Sequence, residues 1–164
     1  MERTPLTPEG REKILKEIQY RKEELRPQII KAIAEARAHG DLSENSEYED
    51  ARERHSLNEG LIQNLEAQIA TGDVIDITKK EPEEGEDRKI FFGCTVLLLE
   101  DENEEEVEWK WKIVGTHEAD LKANKLSYKS PIGNALIGMI EGESIEVKTP
   151  NKTRVFEILE VMYY

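Results

Sequence analysis

Five carboxylates fall within ten positions of one another: Asp41, Glu44, Glu47, Glu49 and Asp50. They lie inside His39-Gly40-Asp41-Leu42-Ser43-Glu44-Asn45-Ser46-Glu47-Tyr48-Glu49-Asp50. Hard oxygen donors spaced so closely on a tight turn can converge on one cation such as Mg²⁺. Two of them would leave most of its octahedral positions to water and substrate. Such a site is incomplete, and its missing ligands would come from another molecule. A plainer reading competes with this one. Asp41-x-x-Glu44 has the form of a capping box, with Asp41 as N-cap and Glu44 three residues on; Ser43 could equally be the cap. Acids in a first helical turn also gain from the helix dipole, each by about 0.5–1 kcal/mol. Capping accounts for two or three acids and leaves the rest unexplained, so spacing alone keeps both readings open. No nucleophile–base constellation accompanies the cluster. The three histidines, His39, His55 and His117, lack ligand spacing and read as structural or surface residues.

The cluster sits where two helical patterns meet. Thr7 is a plausible N-cap, Pro8 suits a first helical position, and Glu9 suits the positive end of the dipole. Leu15, Ile18, Lys22, Leu25, Ile29, Ala32 and Ala36 then follow a 3-4-3-4 spacing, the seam of a coiled coil, with Ile14 and Ile33 widening the stripe. Pro27 falls inside this pattern and should bend the helix there. Gly40 ends the helix. Tyr48, Ala51, His55, Asn58, Ile62, Leu65 and Ile69 repeat the seam. A connection this short permits only antiparallel pairing. A helix from Pro8 to His39 would extend about 48 Å at 1.5 Å per residue and carry the acidic turn at its end. Residues 1–40 hold nine Lys/Arg and seven Asp/Glu, whereas residues 41–59 hold two and seven, so the charge is concentrated at the turn.

Beyond Thr71-Gly72 the pattern changes. Residues 73–77 read as a short strand or link. The polar run from Lys79 to Asp87, with Pro82 and Gly85, is the best boundary between a first domain, residues 1–78, and a second, residues 79–164. Strand signals follow at 90–99, 107–114, 126–128, 144–148 and 154–162, with a charged turn at 101–106 and helical turns at 118–123 and 131–138. The whole reads as α+β: an antiparallel helical hairpin, then a small α+β or open-barrel domain. Trp109 and Trp111 share a strand face. Core packing is the default for such a pair, and a stacking platform for single-stranded nucleic acid is the minor reading.

Composition narrows the function. At 164 residues, 37% hydrophobic and 36% charged, the chain is too polar for one large core. Its net charge of −13 argues against general nucleic-acid binding. Met1-Glu2-Arg3-Thr4-Pro5 begins no apolar run, so no signal peptide is expected. No stretch approaches the ~20 apolar residues of a membrane span. The single cysteine, Cys94, reads as a buried inert thiol. Together these point to a cytoplasmic protein.

Gly40-Asp41-Leu42-Ser43-Glu44-Asn45-Ser46-Glu47-Tyr48 closely resembles the tip signature of the Gre transcript-cleavage factors. Val74-Ile75-Asp76 resembles the segment after their hairpin. Ile113-Val114-Gly115, Glu118-Ala119-Asp120 and Ser130-Pro131-Ile132-Gly133-x-Ala135-Leu136-Ile137-Gly138 resemble their C-terminal signatures. The similarity spans nearly the whole chain. The weak charge of the first helix fits the less basic branch of the family. Lys129 departs from a frequent acidic residue or Asn, and Asn151-Lys152 from a usual glycine.

The resemblance implies a coiled coil that enters the secondary channel of bacterial RNA polymerase, and an FKBP-like C-terminal domain at the channel rim. There Ser130 and Pro131 would touch the polymerase. Asp41 and Glu44 would hold a Mg²⁺ shared with the polymerase and, with Ser43, orient the attacking water. The polymerase would then cleave its own backtracked RNA 3′ end. On this reading the chain is no enzyme itself, binds no cofactor stably, meets RNA only transiently, works as a monomer and needs no membrane. Three other classes stay in view: a polymerase inhibitor of the same shape, an acidic coiled-coil adaptor, and a prolyl isomerase.

Overall fold

Proline at position 27 cannot donate the backbone hydrogen bond an α-helix needs, yet the helix runs through it. In the computed structural model, which describes residues 2–39 and 45–164, α1 (Pro8–Tyr20) passes into a π-helical turn, Arg21–Leu25, and then into α2 (Arg26–Ala38). The Arg26 N–H donates to the Arg21 carbonyl, five residues back. The wider turn places Pro27 at the start of a fresh α-helical stretch, where its missing N–H costs least. The helix is therefore continuous from Pro8, as expected.

The π-turn also adds a residue to the helical count and shifts the seam before it. The 3-4 spacing predicts Leu15 and Lys22 inward. Instead Ile14 is fully buried and Leu15 is 38% exposed. Arg21 is half-buried in the place expected of Lys22, which is exposed. From Leu25 onward the expected phase returns, with Ile29 and Ala36 buried. The second helix, α3 (Ser46–Ala70), has no such fault and buries Ala51, Asn58, Ile62 and Leu65.

Pairing is antiparallel, since partners climb one helix as they descend the other. Arg26 grips Glu59 with two bonds of 2.7 and 2.9 Å, and Lys22 pairs with Glu66. The Arg26 guanidinium holds the Glu59 carboxyl below its usual range. Asn58 is the buried polar residue of the seam. Its Oδ1 accepts from Arg21 Nη1 at 3.1 Å and its Nδ2 donates to the Arg21 carbonyl at 3.2 Å. A polar pair at one seam position fixes register at some cost in stability.

The chain divides into two units. Arg11–Gly72 makes up most of the first, and Asp73–Tyr164 with Thr4–Gly10 makes up the second. The division falls after Gly72, where composition suggests residue 78. Residues 4–10 belong with the later part of the chain for three local reasons. Thr4–Leu6 forms β1 and pairs with β2, Gly72–Val74. The Ile75 N–H donates to the Leu6 carbonyl at 2.9 Å. Buried Thr7 caps α1 by accepting from the Gly10 N–H at 2.9 Å, and its hydroxyl donates to Glu118 at 2.6 Å. Thr7 is thus the N-cap that the sequence indicates.

The second unit holds a five-stranded sheet in the order β5-β4-β3-β7-β6. Its strands are β3 (Thr95–Glu102), β4 (Glu105–Val114), β5 (Lys125–Ser127), β6 (Ser144–Lys148) and β7 (Thr153–Met162). The charged turn narrows to Asn103 and Glu104, both left-handed at φ 52° and 67°. That is the two-residue connection whose twist matches a hairpin. Leu98, Ile113, Phe156, Ile158 and Val161 alternate inward against Leu136 of the short helix α4 (Pro131–Leu136). Cys94 is fully buried, and burial pushes its thiol up. The unit is an α+β domain, as expected.

Trp109 and Trp111 stack with ring centroids 5.1 Å apart, and Trp111 is 5% exposed. The Trp109 indole N–H is already spent on Glu100, at 3.1 Å. Arg154 donates two bonds to the same carboxylate, at 2.5 and 2.9 Å, and lies over the Phe156 ring. Trp111 is core and half-buried Trp109 packs against it, which removes the reason for a nucleic-acid platform. The bond from Arg154 holds the Glu100 carboxyl below its usual range. A depressed carboxyl pKa gives stability that is present above the unfolded value, about 4.3 for glutamate, and lost as pH falls through the folded value. Thermal melting of this domain should therefore hold from neutral pH down to about pH 4.3 as far as Glu100 is concerned, and drop as the pH falls further. Glu100→Gln should flatten part of that dependence and cost about 3 kcal/mol at pH 7, because it leaves a largely buried guanidinium without its counter-charge. Parallel melts of both proteins across pH check this.

Candidate functional site

The acidic segment follows one helix and precedes another. α2 ends at Ala38 with His39 as its C-cap, whose N–H donates to Ala36 and Arg37 carbonyls. α3 begins at Ser46 with Asn45 as its N-cap. The Asn45 Oδ1 accepts from the Tyr48 N–H at 3.1 Å. Its Nδ2 donates to the Ala36 carbonyl at 2.6 Å. This corrects the capping assignment: neither Asp41 nor Ser43 is the N-cap of this helix, and Glu44 does not occupy its third turn position. Asp41, Ser43 and Glu44 themselves lie outside the described residues.

Two features beside the turn are not apparent from the periodicity. Arg37 on α2 and Arg52 on α3 both place their guanidinium groups near the Tyr48 ring, at 5.8 and 5.7 Å from its centroid. A cation over an aromatic face is attracted to the ring quadrupole. Two of them gather positive charge within one turn of an acidic segment. The signal that could have found them is the helical spacing of Tyr48 and Arg52, four apart, with Arg37 on the facing helix. His39 Nδ1 lies 3.6 Å from Glu47 on exposed surface. Among the described residues no three His, Cys, Asp or Glu side chains gather as a metal-ligand set.

In the second unit, Ser130 and Pro131 open α4. The Ser130 hydroxyl donates to the Ser127 carbonyl at 2.6 Å and accepts from the Gly133 N–H at 3.1 Å. Ser130 is therefore a cap as well as a candidate contact. Pro131 is exposed, as is Lys129, whose ammonium lies 5.8 Å from the Tyr128 ring centroid. The turn is a capped corner with its proline exposed.

Among the described residues no helix is long and apolar enough to cross a membrane. Residues 4–74 match the N-terminal domain of the transcription elongation factor family, and residues 85–163 match the GreA/GreB C-terminal domain. Transcription elongation factor GreA of Brucella canis is 47% identical over 163 residues, covering 99% of each chain. The GreA of Brucella melitensis biotype 2 matches to the same extent. The crystal structure of GreA factor homolog 1 from Thermus thermophilus, at 24% identity, covers 97% of this chain and 98% of its own with a TM-score of 0.41. The two domain matches and the full-length identity, taken together, place the chain in the GreA/GreB family of transcription elongation factors, with GreA proteins among its relatives.

Proposed function

We propose that this chain is a GreA-type elongation factor that enters the secondary channel of bacterial RNA polymerase and stimulates cleavage of backtracked RNA by the polymerase itself. The observation that carries the reading is Asn45. Because Asn45 caps α3, that helix makes no capping demand on the carboxylates of Asp41 and Glu44. Two hard anionic oxygens on a turn suit Mg²⁺, which keeps several waters and takes few protein ligands. When bound, Mg²⁺ supplies charge stabilisation and an activated water. Asp41 and Glu44 are the residues that would hold it, with the polymerase completing the set. Ser43 offers a hydroxyl to orient water. Arg37 and Arg52, beside Tyr48, offer cationic donors to an RNA phosphate near the same point. The chain works as a monomer and has no catalytic activity without polymerase.

The test is to add the protein to purified backtracked elongation complexes and follow RNA length. Shortening from the 3′ end that needs both proteins is the expected result. Protection of the RNA, or slowed elongation, would support an inhibitor instead.

The corner at Ser130 and Pro131 contributes the rim contact. Its two residues should separate on mutation. Ser130→Ala removes a cap and should cost about 1 kcal/mol of domain stability. Pro131→Ala touches only an exposed, stiffening ring. It should leave melting nearly unchanged while weakening polymerase binding several-fold, through a looser binding surface. A binding titration alongside a melt distinguishes the two. Unchanged affinity for Pro131→Ala would remove this corner from the interface.

A further inference from the structure

We infer that Asn45 is a positioning residue for the acidic turn, beyond its service as a helix cap; this rests on the function proposed above. One side-chain amide bonds to backbone groups at both helix ends. Its Oδ1 takes the Tyr48 N–H of α3, and its Nδ2 gives a 2.6 Å bond to the Ala36 carbonyl in the last turn of α2. Ala36 is 4% exposed, and its carbonyl also accepts the His39 N–H at 3.2 Å. The Asn45 carbonyl meanwhile accepts from the Glu49 N–H at 3.2 Å, the first backbone bond of α3. The residue directly after Glu44 is thus tied to Ala36, in the last turn of α2 and four positions before Gly40.

Capping α3 requires only an acceptor, and Asp or Ser would provide one about as well. Donation to Ala36 needs a second polar atom that carries a proton: a carboxylate has none to give, and serine has a single oxygen one bond closer to the backbone, which cannot stand at both the Oδ1 and the Nδ2 positions. The donor half of Asn45 therefore does nothing for the start of α3. It joins the two ends of the segment that carries Asp41 and Glu44. Groups that complete another protein's metal site must be held within about 0.5 Å of their productive positions. A displacement near 1 Å is enough to lower rates about a hundredfold. A tie at the root of the turn restricts that displacement before the partner is met.

The experiment uses the full-length protein with purified backtracked elongation complexes. Asn45→Asp and Asn45→Ser keep the cap and lose the donor, one adding charge and the other not. Each is titrated to saturation, with Asp41→Asn/Glu44→Gln run in parallel and amide exchange at Tyr48 recorded to confirm that the cap survives. The expected result is a half-saturating concentration within twofold of wild type and a saturated cleavage rate at least fivefold lower for both Asn45 variants. Wild-type saturated rates in both, while Asp41→Asn/Glu44→Gln is defective, would overturn the positioning role and leave the functional reading standing. A shift in half-saturation with an unchanged saturated rate would also overturn it, by assigning Asn45 to docking. Full activity of Asp41→Asn/Glu44→Gln would sink the functional reading, and the positioning role with it.

Discussion

Changing Asp41 to Asn together with Glu44 to Gln should lower the saturated rate of RNA cleavage at least tenfold, with little change in melting temperature or polymerase affinity. The substitutions keep size and hydrogen-bonding capacity and remove only charge. Asn45 and not Asp41 caps α3, so the helix loses nothing when Asp41 is altered. Even as a cap, Asn would serve about as well as Asp. On the proposed function the variant loses two anionic donors to a divalent cation, and each ~1.4 kcal/mol of lost transition-state stabilisation is a factor of ten in rate. If the defect is one of metal affinity, raising Mg²⁺ should recover part of the rate. The measurement is cleavage in backtracked complexes at matched occupancy, with binding followed separately. Equal rates at equal occupancy would leave the turn as a solvated acidic surface.

The sequence carried more of the architecture than of the local chemistry. Antiparallel pairing is legible because the two seams are joined by a few residues, and α3 follows its seam throughout. The first helix misleads at Leu15 and Lys22 for a definite reason. Heptad counting assumes 3.5 residues per turn throughout, and a π-turn breaks that assumption by one residue. Pro27 marks the trouble, yet a proline predicts a bend as readily as a π-turn. What accompanies the π-turn is a partner distant in sequence: Asn58, 37 positions away, donates its amide N–H to the Arg21 carbonyl that also accepts from the Arg26 N–H. Side-chain satisfaction of that kind has no periodic signature.

The same limit applies at the acidic turn. Asp41, Ser43 and Asn45 are all good cap types, and position alone leaves Asp41, with Glu44 completing a box, level with Ser43. The cap goes to Asn45, which has the amide donor needed for Ala36 in addition. Glu100 illustrates the point in the second unit. It falls between the strand signal that ends at Leu99 and the charged turn that begins at Asp101, and its position in the sequence does not mark it as buried. It is 2% exposed because Arg154, on β7, supplies the counter-charge.

Adding one methyl group at Gly133 should destabilise the second unit by about 2–4 kcal/mol, whereas adding it at Gly60 should stabilise the hairpin. A Cβ at Gly133 would stand 2.2 Å from the Ser127 carbonyl oxygen and 3.0 Å from the Ser130 hydroxyl. The first obstacle is backbone, so no rotamer change relieves it. Either α4 moves away, dragging buried Ile132 and Leu136, or the Ser127–Ser130 turn opens and the cap bond from the Gly133 N–H is lost. Overpacking of this kind costs about 1–3 kcal/mol, and the lost cap about 1 more. At about 4–8 °C per kcal/mol for a domain of this size, the melting temperature should fall by roughly 10–30 °C. The corner that presents Pro131 would be displaced with it, so polymerase binding should weaken more than in Pro131→Ala. Gly60 lies inside α3 with nothing within 4 Å of its added Cβ. There alanine gains helix propensity and should stabilise the hairpin by about 0.5–1 kcal/mol. Melting both variants, with helix signal and tryptophan fluorescence as separate probes, gives opposite signs for the same chemical change. A Gly133→Ala protein that melts and binds like wild type would mean that the Ser127–Ser130 turn has room to yield, and that its geometry is not fixed by the glycine.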